Sequence, residues 1–188
     1  MIEGEKIYLQ LLSEEDLPQI LTWNLVQELN HYVDNALPAT LEECQAWYRT
    51  MKSDRYSQSF GIFLHADSSL IGEIELINIT WRNRHGELRV RIGEKSYWNQ
   101  GLGTESIRLF LGYIFHQLKL ERIYLRVYSS NKRAIHCYLK SGFKFEGKLT
   151  KSVHMPEDSD SILLMRILRA EFLQKEKQWR KEYDINVG

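Results

Sequence analysis

The stretch YWNQGLGTES, residues 97–106, decides the fold of this chain because two glycines stand directly before an amphipathic helix. Glycine inside regular structure costs free energy, so Gly101 and Gly103 need a local reason. After these glycines, apolar residues recur with the period of one helical face: Ile107, Phe110, Leu111, Ile114, Phe115 and Leu118. The first turn of such a helix has N–H groups without partners and a dipole that favours an anion. These residues alone predict a tight turn, and they also suit a phosphate site.

Strands dominate the sequence on both sides of this turn. SFGIFLH, LIGEIELINI and GELRVRI lie upstream with short connections, which predicts an antiparallel meander. An opening strand, IYLQLL, and two helices capped by Ser13 and Thr40 come before them. Downstream, we predict the strand RIYLRVY, a helix between Asn131 and Gly142, the strands FKFEGKL and SILLMRI, and a last helix over about residues 170–183.

Composition excludes several classes of protein. The 25 basic and 25 acidic residues cancel, which argues against a general nucleic-acid binder. No stretch approaches the ~20 apolar residues of a membrane span, and the N-terminus lacks the pattern of a signal peptide. Cys44 and Cys137 are far apart and in no metal-binding pair. We therefore expect a cytoplasmic protein with no membrane partner, no disulfide and no metal.

Two nucleotide-binding motifs are present only in part. Residues 142–148 read G-x-x-x-x-G-K, but Leu149 follows where a P-loop needs Ser or Thr, and the intervening residues alternate as a strand does. GLGTES has Ser106 where a dinucleotide fingerprint has its third glycine, and no βαβ alternation precedes it. Both features weigh against a nucleotide-dependent enzyme, which remains a third interpretation.

The order of these elements resembles the GNAT acyltransferase family over nearly the whole chain, to about Met165. Residues 98–103 follow the family's phosphate loop, Q/R-x-x-G-x-G/A, at both glycines but have Trp98 in the first place. The form YWxxGxGTE is similar to the RimJ/RimL-like branch, which includes spermidine N-acetyltransferases. The later residues that fall at family positions are Asn131, Ala134, Tyr138, Gly142 and Phe143.

The resemblance implies an α+β fold with a mixed central sheet that contains the antiparallel meander and carries flanking helices. We expect one GNAT acetyltransferase domain over residues 1–168 and a C-terminal helical extension over residues 169–188. The thin apolar stripe of that extension would pack on the domain or on a second subunit. Dimers are common in the family, so the resemblance favours a homo-oligomer.

The resemblance also implies acetyl-CoA as co-substrate. The amides of residues 101–104 would hold its pyrophosphate, the strand edge at residues 90–92 would pair with the pantetheine arm, Asn131 would contact that arm, and Ala134 would leave room for it. The expected cofactor-binding residues are Val90, Arg91, Ile92, Trp98, Asn99, Gln100, Gly101, Leu102, Gly103, Thr104, Asn131, Ala134 and Tyr138.

The expected reaction is attack of a primary amine on a thioester. An amine with a pKa of ~10.4 is almost wholly protonated at pH 7, so a base is needed. Glu75 and Glu87 are equal candidates for that base, and each also suits a plain solvated strand position. Tyr138 matches the family's general acid, since a tyrosine hydroxyl keeps its proton at neutral pH. Cys137 reads as a small buried residue.

The acceptor is expected to be a small-molecule amine, such as a polyamine, or a peptide N-terminus. Acidic residues near the expected acceptor site would attract such a cation: Glu28, Asp34, Glu42, Glu43, Glu157, Asp158 and Asp160. A solvated acidic surface explains the same residues equally well. The alternative from another class is a non-catalytic CoA-binding or interaction module with the same fold, against which the presence of both Asn131 and Tyr138 argues.

Overall fold

The computed structural model describes residues 1–30, 32, 37–149 and 161–186, apart from the side chains of residues 28 and 180–186. Its strands, numbered along the chain, are β1 (Ile2–Glu3), β2 (Ile7–Leu11), β3 (Gln58–Leu64), β4 (Leu70–Thr80), β5 (His85–Ile92), β6 (Arg122–Tyr128), β7 (Lys144–Leu149) and β8 (Ile162–Leu168). Its helices are α1 (Leu17–Asn24), α2 (Gln27–Asn30), α3 (Leu41–Ser53), α4 (Leu102–His116), α5 (Lys132–Lys140) and α6 (Arg169–Asn186).

The strands form one mixed sheet in the order β1-β2-β3-β4-β5-β6-β8-β7. Antiparallel pairing joins β2, β3, β4 and β5 in succession, so the predicted meander is confirmed. The parallel pair is β5 with β6, and α4 lies in the crossover between them. The predicted α+β class with a mixed central sheet is therefore confirmed.

Capping residues explain where the helices begin and end. The Thr40 hydroxyl accepts a hydrogen bond from the Glu43 N–H at 3.2 Å, and the Asn131 side chain accepts one from the Ala134 N–H at 3.2 Å. Gly142 follows α5 with a φ of +97°, a left-handed conformation that glycine adopts at low cost. The sequence predicted all three positions.

The core lies on both faces of the sheet. Five of the six residues of the predicted apolar face of α4 are buried in one cluster, with Phe110, Ile114 and Phe115 at 0% exposure. The sixth, Leu118, lies beyond the end of the helix at His116 and is only partly buried. A second, smaller cluster forms around Trp23 of α1 and Tyr48 of α3. The charged side chains of β4 point away from its buried Ile74 and Leu76, because successive strand residues alternate between faces.

The parallel pairing of β5 with β6 positions the functional site. This pairing joins His85, Gly86 and Glu87 to Arg122, Ile123 and Tyr124. Beyond it the strands separate, and Val90 and Val127 line opposite sides of one cleft. An opened strand edge has backbone N–H and C=O groups available to a ligand.

The C-terminal helix packs back on the domain. Phe172 of α6 is 1% exposed and lies against Phe115, with ring centroids 5.2 Å apart. Trp179 adds a second contact, with the Arg108 guanidinium 4.1 Å from the centroid of its ring. The helix thus covers the domain, which is one of the two surfaces considered for it. The division at residue 168 stays a prediction.

Some local features differ from the sequence predictions. β1 and α2, which are only two and four residues long, were not predicted from the sequence. A 3₁₀ turn at Glu14–Asp16 precedes α1, where a continuous helix was predicted, and the Asp16 carboxylate accepts the Ser13 N–H at 2.7 Å. In the part of the chain that the structure describes, no helix is long and apolar enough to cross a membrane.

Candidate active site

A cleft of about 680 Å³ opens where β5 and β6 separate. Its walls come from the ends of these two strands, the first turn of α4, one face of α5 and residues of α1 to α3. The size is typical of a small-molecule site. The predicted site residues that line it are Glu75, Glu87, Val90, Arg91, Ile92, Trp98, Asn99, Gly101, Leu102, Gly103, Thr104, Asn131, Ala134 and Tyr138.

Gln100 is the predicted site residue that does not line this cleft. Its side-chain amide donates to the Ser96 carbonyl at 2.6 Å, so the side chain stabilises the preceding turn. The glycine pattern could not distinguish the two roles, because a loop side chain can point toward the ligand or back along the chain.

The glycine turn suits the phosphates of an acyl-CoA. Gly101 is the N-cap of α4 with a φ of +83°, and nothing would lie within 4 Å of a Cβ there. The open space beside Gly101 and the N–H groups of the first turn of α4 both lie at the cleft. These features fit a pyrophosphate, and Thr104, the third residue of α4, lines the same wall.

The Trp98 side chain contacts both β5 and α5 and so stabilises the glycine turn. Its indole N–H donates to the Ile92 carbonyl at 2.9 Å, and the Arg133 guanidinium lies 3.4 Å from the centroid of its ring. Trp98 therefore ties the end of β5 to the loop and to α5. This position explains how a tryptophan can stand where the family pattern has Gln or Arg.

The main chain of β5 alternates between its two neighbours. The Gly93 N–H donates to the Ile71 carbonyl at 2.9 Å, and the same register pairs Arg91 with Glu73. By the alternation of an antiparallel ladder, the backbone groups of Arg91 face β4, whereas those of Val90 and Ile92 face the opened edge. Of the three residues expected to meet the pantetheine arm, Val90 and Ile92 have the suitable orientation, although the Ile92 carbonyl already accepts the Trp98 indole N–H.

The α5 helix presents Asn131, Ala134 and Tyr138 to the cleft. Tyr138 is 6% exposed and packs edge-on against Phe143. Burial, and next the neighbouring Cys137, raises the pKa of the Tyr138 hydroxyl above its usual value. The hydroxyl therefore holds its proton at neutral pH, as a general acid must before it acts.

Glu75 lies on the cleft face of β4 beside Glu73. Desolvation by burial, and next the negative charge of Glu73, raises the pKa of Glu75 to about 7. The Ser59 hydroxyl donates to Glu75 Oε1 at 2.7 Å and opposes this rise. A carboxylate with a pKa near the working pH is suited to accept a proton.

Glu87 has a different environment from Glu75. It is 3% exposed, and its carboxylate accepts from Arg126 Nε and from Asn78 Nδ2, both at 3.0 Å. Arg89 Nε adds a second positive charge at 3.8 Å. A carboxylate whose oxygens already accept hydrogen bonds from a guanidinium group and an amide suits a structural role better than proton transfer.

Arg91 is a cleft residue whose side chain the sequence analysis did not single out. Its Nη2 donates to Glu73 Oε1 at 2.6 Å and to Asn24 Oδ1 at 2.9 Å. Both side chains of the ion pair are largely buried, at 13% and 12% exposure. Arg91 thereby joins α1 to the sheet, and neither Glu73 nor Glu75 occupies the solvated position that a lone strand glutamate usually has.

The acceptor half of the cleft has an apolar wall made of Ile20, Leu29, Tyr32, Leu37, Pro38 and Trp47. Of the acidic residues expected near the acceptor, Asp34, Glu157, Asp158 and Asp160 lie outside the described residues, as does the Glu28 side chain. Glu43 instead accepts the Ala39 N–H at 2.7 Å and so caps α3.

Cys137 also lines the cleft, beside the glycine turn. Its sulfur lies 3.3 Å from the Thr104 hydroxyl, and burial raises the pKa of the thiol. A thiol kept protonated is a poor nucleophile. Within the described ranges, no group of three or more His, Cys, Asp and Glu side chains is placed to hold a metal ion.

The fold and the cleft together define a CoA-dependent acyltransferase, and comparison with known proteins agrees. Residues 6–144 match the Acetyltransferase (GNAT) domain family. The chain therefore belongs to the GNAT family of acetyl-CoA-dependent N-acetyltransferases, which confirms the resemblance on which the sequence analysis relied.

Spermidine N(1)-acetyltransferase of Vibrio cholerae is 27% identical over 172 residues, which cover 92% of this chain and 98% of that protein. A probable N-acetyltransferase of Bacillus subtilis, YjcK, is 30% identical and matches 81% of this chain and 88% of its own length. The crystal structure of the Vibrio cholerae enzyme in complex with CoA and spermine superposes on this chain with a TM-score of 0.81 and 26% sequence identity. The superposition covers 90% of this chain and 99% of that chain.

Substitution of Gly103 by leucine is expected to weaken CoA binding at least about tenfold. A Cβ at this position would already lie 3.4 Å from Cys137 Sγ and 3.8 Å from Ile92 Cγ1, so a larger side chain must displace α5 or enter the cleft. Gly103→Ala fits this space and is the matched control, with an expected Kd within about threefold of the native value. Calorimetric titration with CoA measures both; a native Kd for Gly103→Leu would contradict the phosphate cradle.

Proposed function

We propose that this protein acetylates a primary amine of a polyamine, with Glu75 as proton acceptor and Tyr138 as proton donor. The observation that carries the proposal is that one cleft joins a helix N-terminus suited to phosphates, a protonated tyrosine and a carboxylate with a raised pKa. The similarity to the spermidine N(1)-acetyltransferase of Vibrio cholerae supports the class of acceptor.

The co-substrate supplies an acetyl group as a thioester. In the proposed arrangement the first turn of α4 binds its pyrophosphate, and Val90 and Ile92 orient its pantetheine arm along the opened edge of β5. Glu75 then takes a proton from the acceptor ammonium, which gives the nitrogen a lone pair for attack. Tyr138 gives its proton to the departing thiolate, so that the leaving group is released as a thiol. The second proton, which the nitrogen loses as the amide forms, restores the Tyr138 hydroxyl.

The acceptor half of the cleft favours a chain with both cationic and apolar parts. The buried atom Glu73 Oε2 has no hydrogen-bond partner among the described residues, and a second ammonium group of the substrate would supply one. The apolar wall formed by Leu29, Tyr32 and Trp47 suits the methylene segments between the nitrogens of a polyamine. A peptide N-terminus would present backbone amides to the same wall.

The proposal is tested by measuring CoA thiol release with each acceptor separately. Spermidine and spermine are expected to give a kcat/KM at least about tenfold above those for amino sugars, aminoglycosides and N-terminal peptides. A higher kcat/KM for peptides would overturn the polyamine assignment and retain the transferase. CoA binding without turnover on any amine would favour the non-catalytic module.

A further inference from the structure

Each turnover of the proposed reaction must export a proton from the acceptor side of the cleft. The acceptor ammonium carries three N–H protons and the amide product carries one. Of the two lost protons, one leaves with the CoA thiol, and the other is transferred to Glu75. This second transfer is part of the proposed function, on which the present inference rests. Once acetyl-CoA and the amine fill the cleft, this carboxyl needs another connection to solvent.

Ser59 provides a hydrogen-bonded neighbour for that proton. The residue lies directly opposite Glu75 in the β3–β4 pair, and its hydroxyl donates to Glu75 Oε1 at 2.7 Å. Ser59 is 2% exposed, so this hydroxyl is a buried polar group with a defined partner. A hydroxyl can donate one hydrogen bond and accept others, which a proton relay requires.

Ser59 also lines a second cavity, of about 1130 Å³, which Glu75 does not reach. This cavity lies at the start of β3, where Gln58 and Ser59 extend past the last residue pair that joins β2 to β3. Its lining includes the polar side chains of Lys52, Asp54 and Arg55. A roomy cavity with several polar groups can hold hydrogen-bonded water.

We propose that Ser59 is a positioning residue that relays the proton accepted by Glu75 out of the cleft and into the second cavity. Before the reaction, Ser59 donates to the Glu75 carboxylate. When Glu75 gains the proton, the hydrogen bond reverses, and Glu75 O–H donates to Ser59 Oγ. Ser59 then gives its own hydroxyl proton to water in the second cavity as it receives the proton of Glu75. The carboxylate and the hydroxyl are both regenerated, and one hydronium ion leaves.

A matched pair of variants separates the hydroxyl from the shape of the side chain. Ser59→Thr keeps the hydroxyl and Ser59→Val replaces it with a methyl group of similar volume, and both residues are favourable in strands. We expect Ser59→Val to have a kcat about tenfold below that of Ser59→Thr and a larger solvent deuterium isotope effect on kcat. The KM for spermidine and the Kd for CoA should agree within about twofold between the two.

Equal kcat values and equal isotope effects for Ser59→Thr and Ser59→Val would overturn the relay. A difference confined to the KM for spermidine or to the Kd for CoA would also overturn the relay, because a purely structural role of Ser59 would change substrate binding and leave kcat unchanged. The unsubstituted protein and Glu75→Gln serve as references: absence of turnover by the unsubstituted protein refutes the proposed function itself. Native turnover by Glu75→Gln refutes the assignment of the base together with the relay.

Discussion

Tyr138→Phe is expected to lower kcat by about 10²–10³-fold while the Kd for CoA stays within about twofold of the native value. The substitution removes the hydroxyl that protonates the leaving thiolate and keeps the ring that packs edge-on against Phe143. The initial rate of CoA thiol release at saturating spermidine and acetyl-CoA gives kcat, and isothermal titration calorimetry gives the Kd for CoA.

Tyr48→Phe is the matched control for this experiment. Tyr48 has the same 6% exposure as Tyr138, but its hydroxyl donates to the Leu12 carbonyl at 3.1 Å, away from the cleft. We expect a modest loss of stability, about 1 kcal/mol, and an unchanged kcat. Undiminished turnover by Tyr138→Phe would show that water or another group protonates the thiolate.

Glu75→Gln is expected to lower kcat/KM by about 10²-fold or more, because the amide cannot accept the proton of the ammonium. In the native protein, kcat/KM should rise as the pH increases through about 7, where Glu75 loses its proton. This acidic limb should be absent from the pH profile of Glu75→Gln. An unaltered limb in the variant would assign it to another group.

The same substitution should stabilise the protein at high pH. The ordinary pKa of a glutamate is 4.5 and that of folded Glu75 is about 7, so the folded state keeps a proton that the unfolded state has released. Stability therefore falls as the pH rises between these two values. The effect amounts to at most about 3 kcal/mol, which corresponds to a Tm difference of at most roughly 6–12 °C for a chain of 188 residues. Glu75→Gln should match the native Tm near pH 4.5 and exceed it at pH 8.

Glu87→Gln distinguishes the two glutamates that the sequence left equal. Loss of its charge removes the ion pair between the buried Glu87 carboxylate and the partly exposed Arg126 guanidinium, and it weakens the charge-assisted hydrogen bonds that Glu87 accepts. We expect a lower Tm for this variant and a pH profile that retains the acidic limb. A profile without that limb would make Glu87 the base.

The parts of the fold that the sequence predicted are those with strong local signals. The apolar period of α4, the Asn131 cap and the alternation in β4 each place a few residues without reference to distant contacts. The short elements β1 and α2 carry no such period, because they exist through their contacts with the rest of the domain.

The parts of the candidate site formed by the backbone could be predicted from the sequence. The parts formed by side chains from different strands were harder to predict. The glycine turn and the face of α5 follow from sequence, whereas the contrast between Glu75 and Glu87 depends on partners such as Arg126. Ser59 could have been found by aligning the predicted strands β3 and β4 in register, since it lies opposite Glu75. The Arg91 contact with Asn24 joins residues 67 positions apart, and no local pattern records it.

The most direct test of direct acetyl transfer is an initial-rate matrix in which acetyl-CoA and spermidine are varied against each other, with thiol release as the signal. Attack of the amine on the bound thioester requires both substrates in the cleft at once, so intersecting double-reciprocal lines are expected, with one acetylated amine formed per thiol. Parallel lines would show that an acetylated enzyme forms first, for example at Cys137, and would contradict the assignment of Glu75 and Tyr138 to a single step.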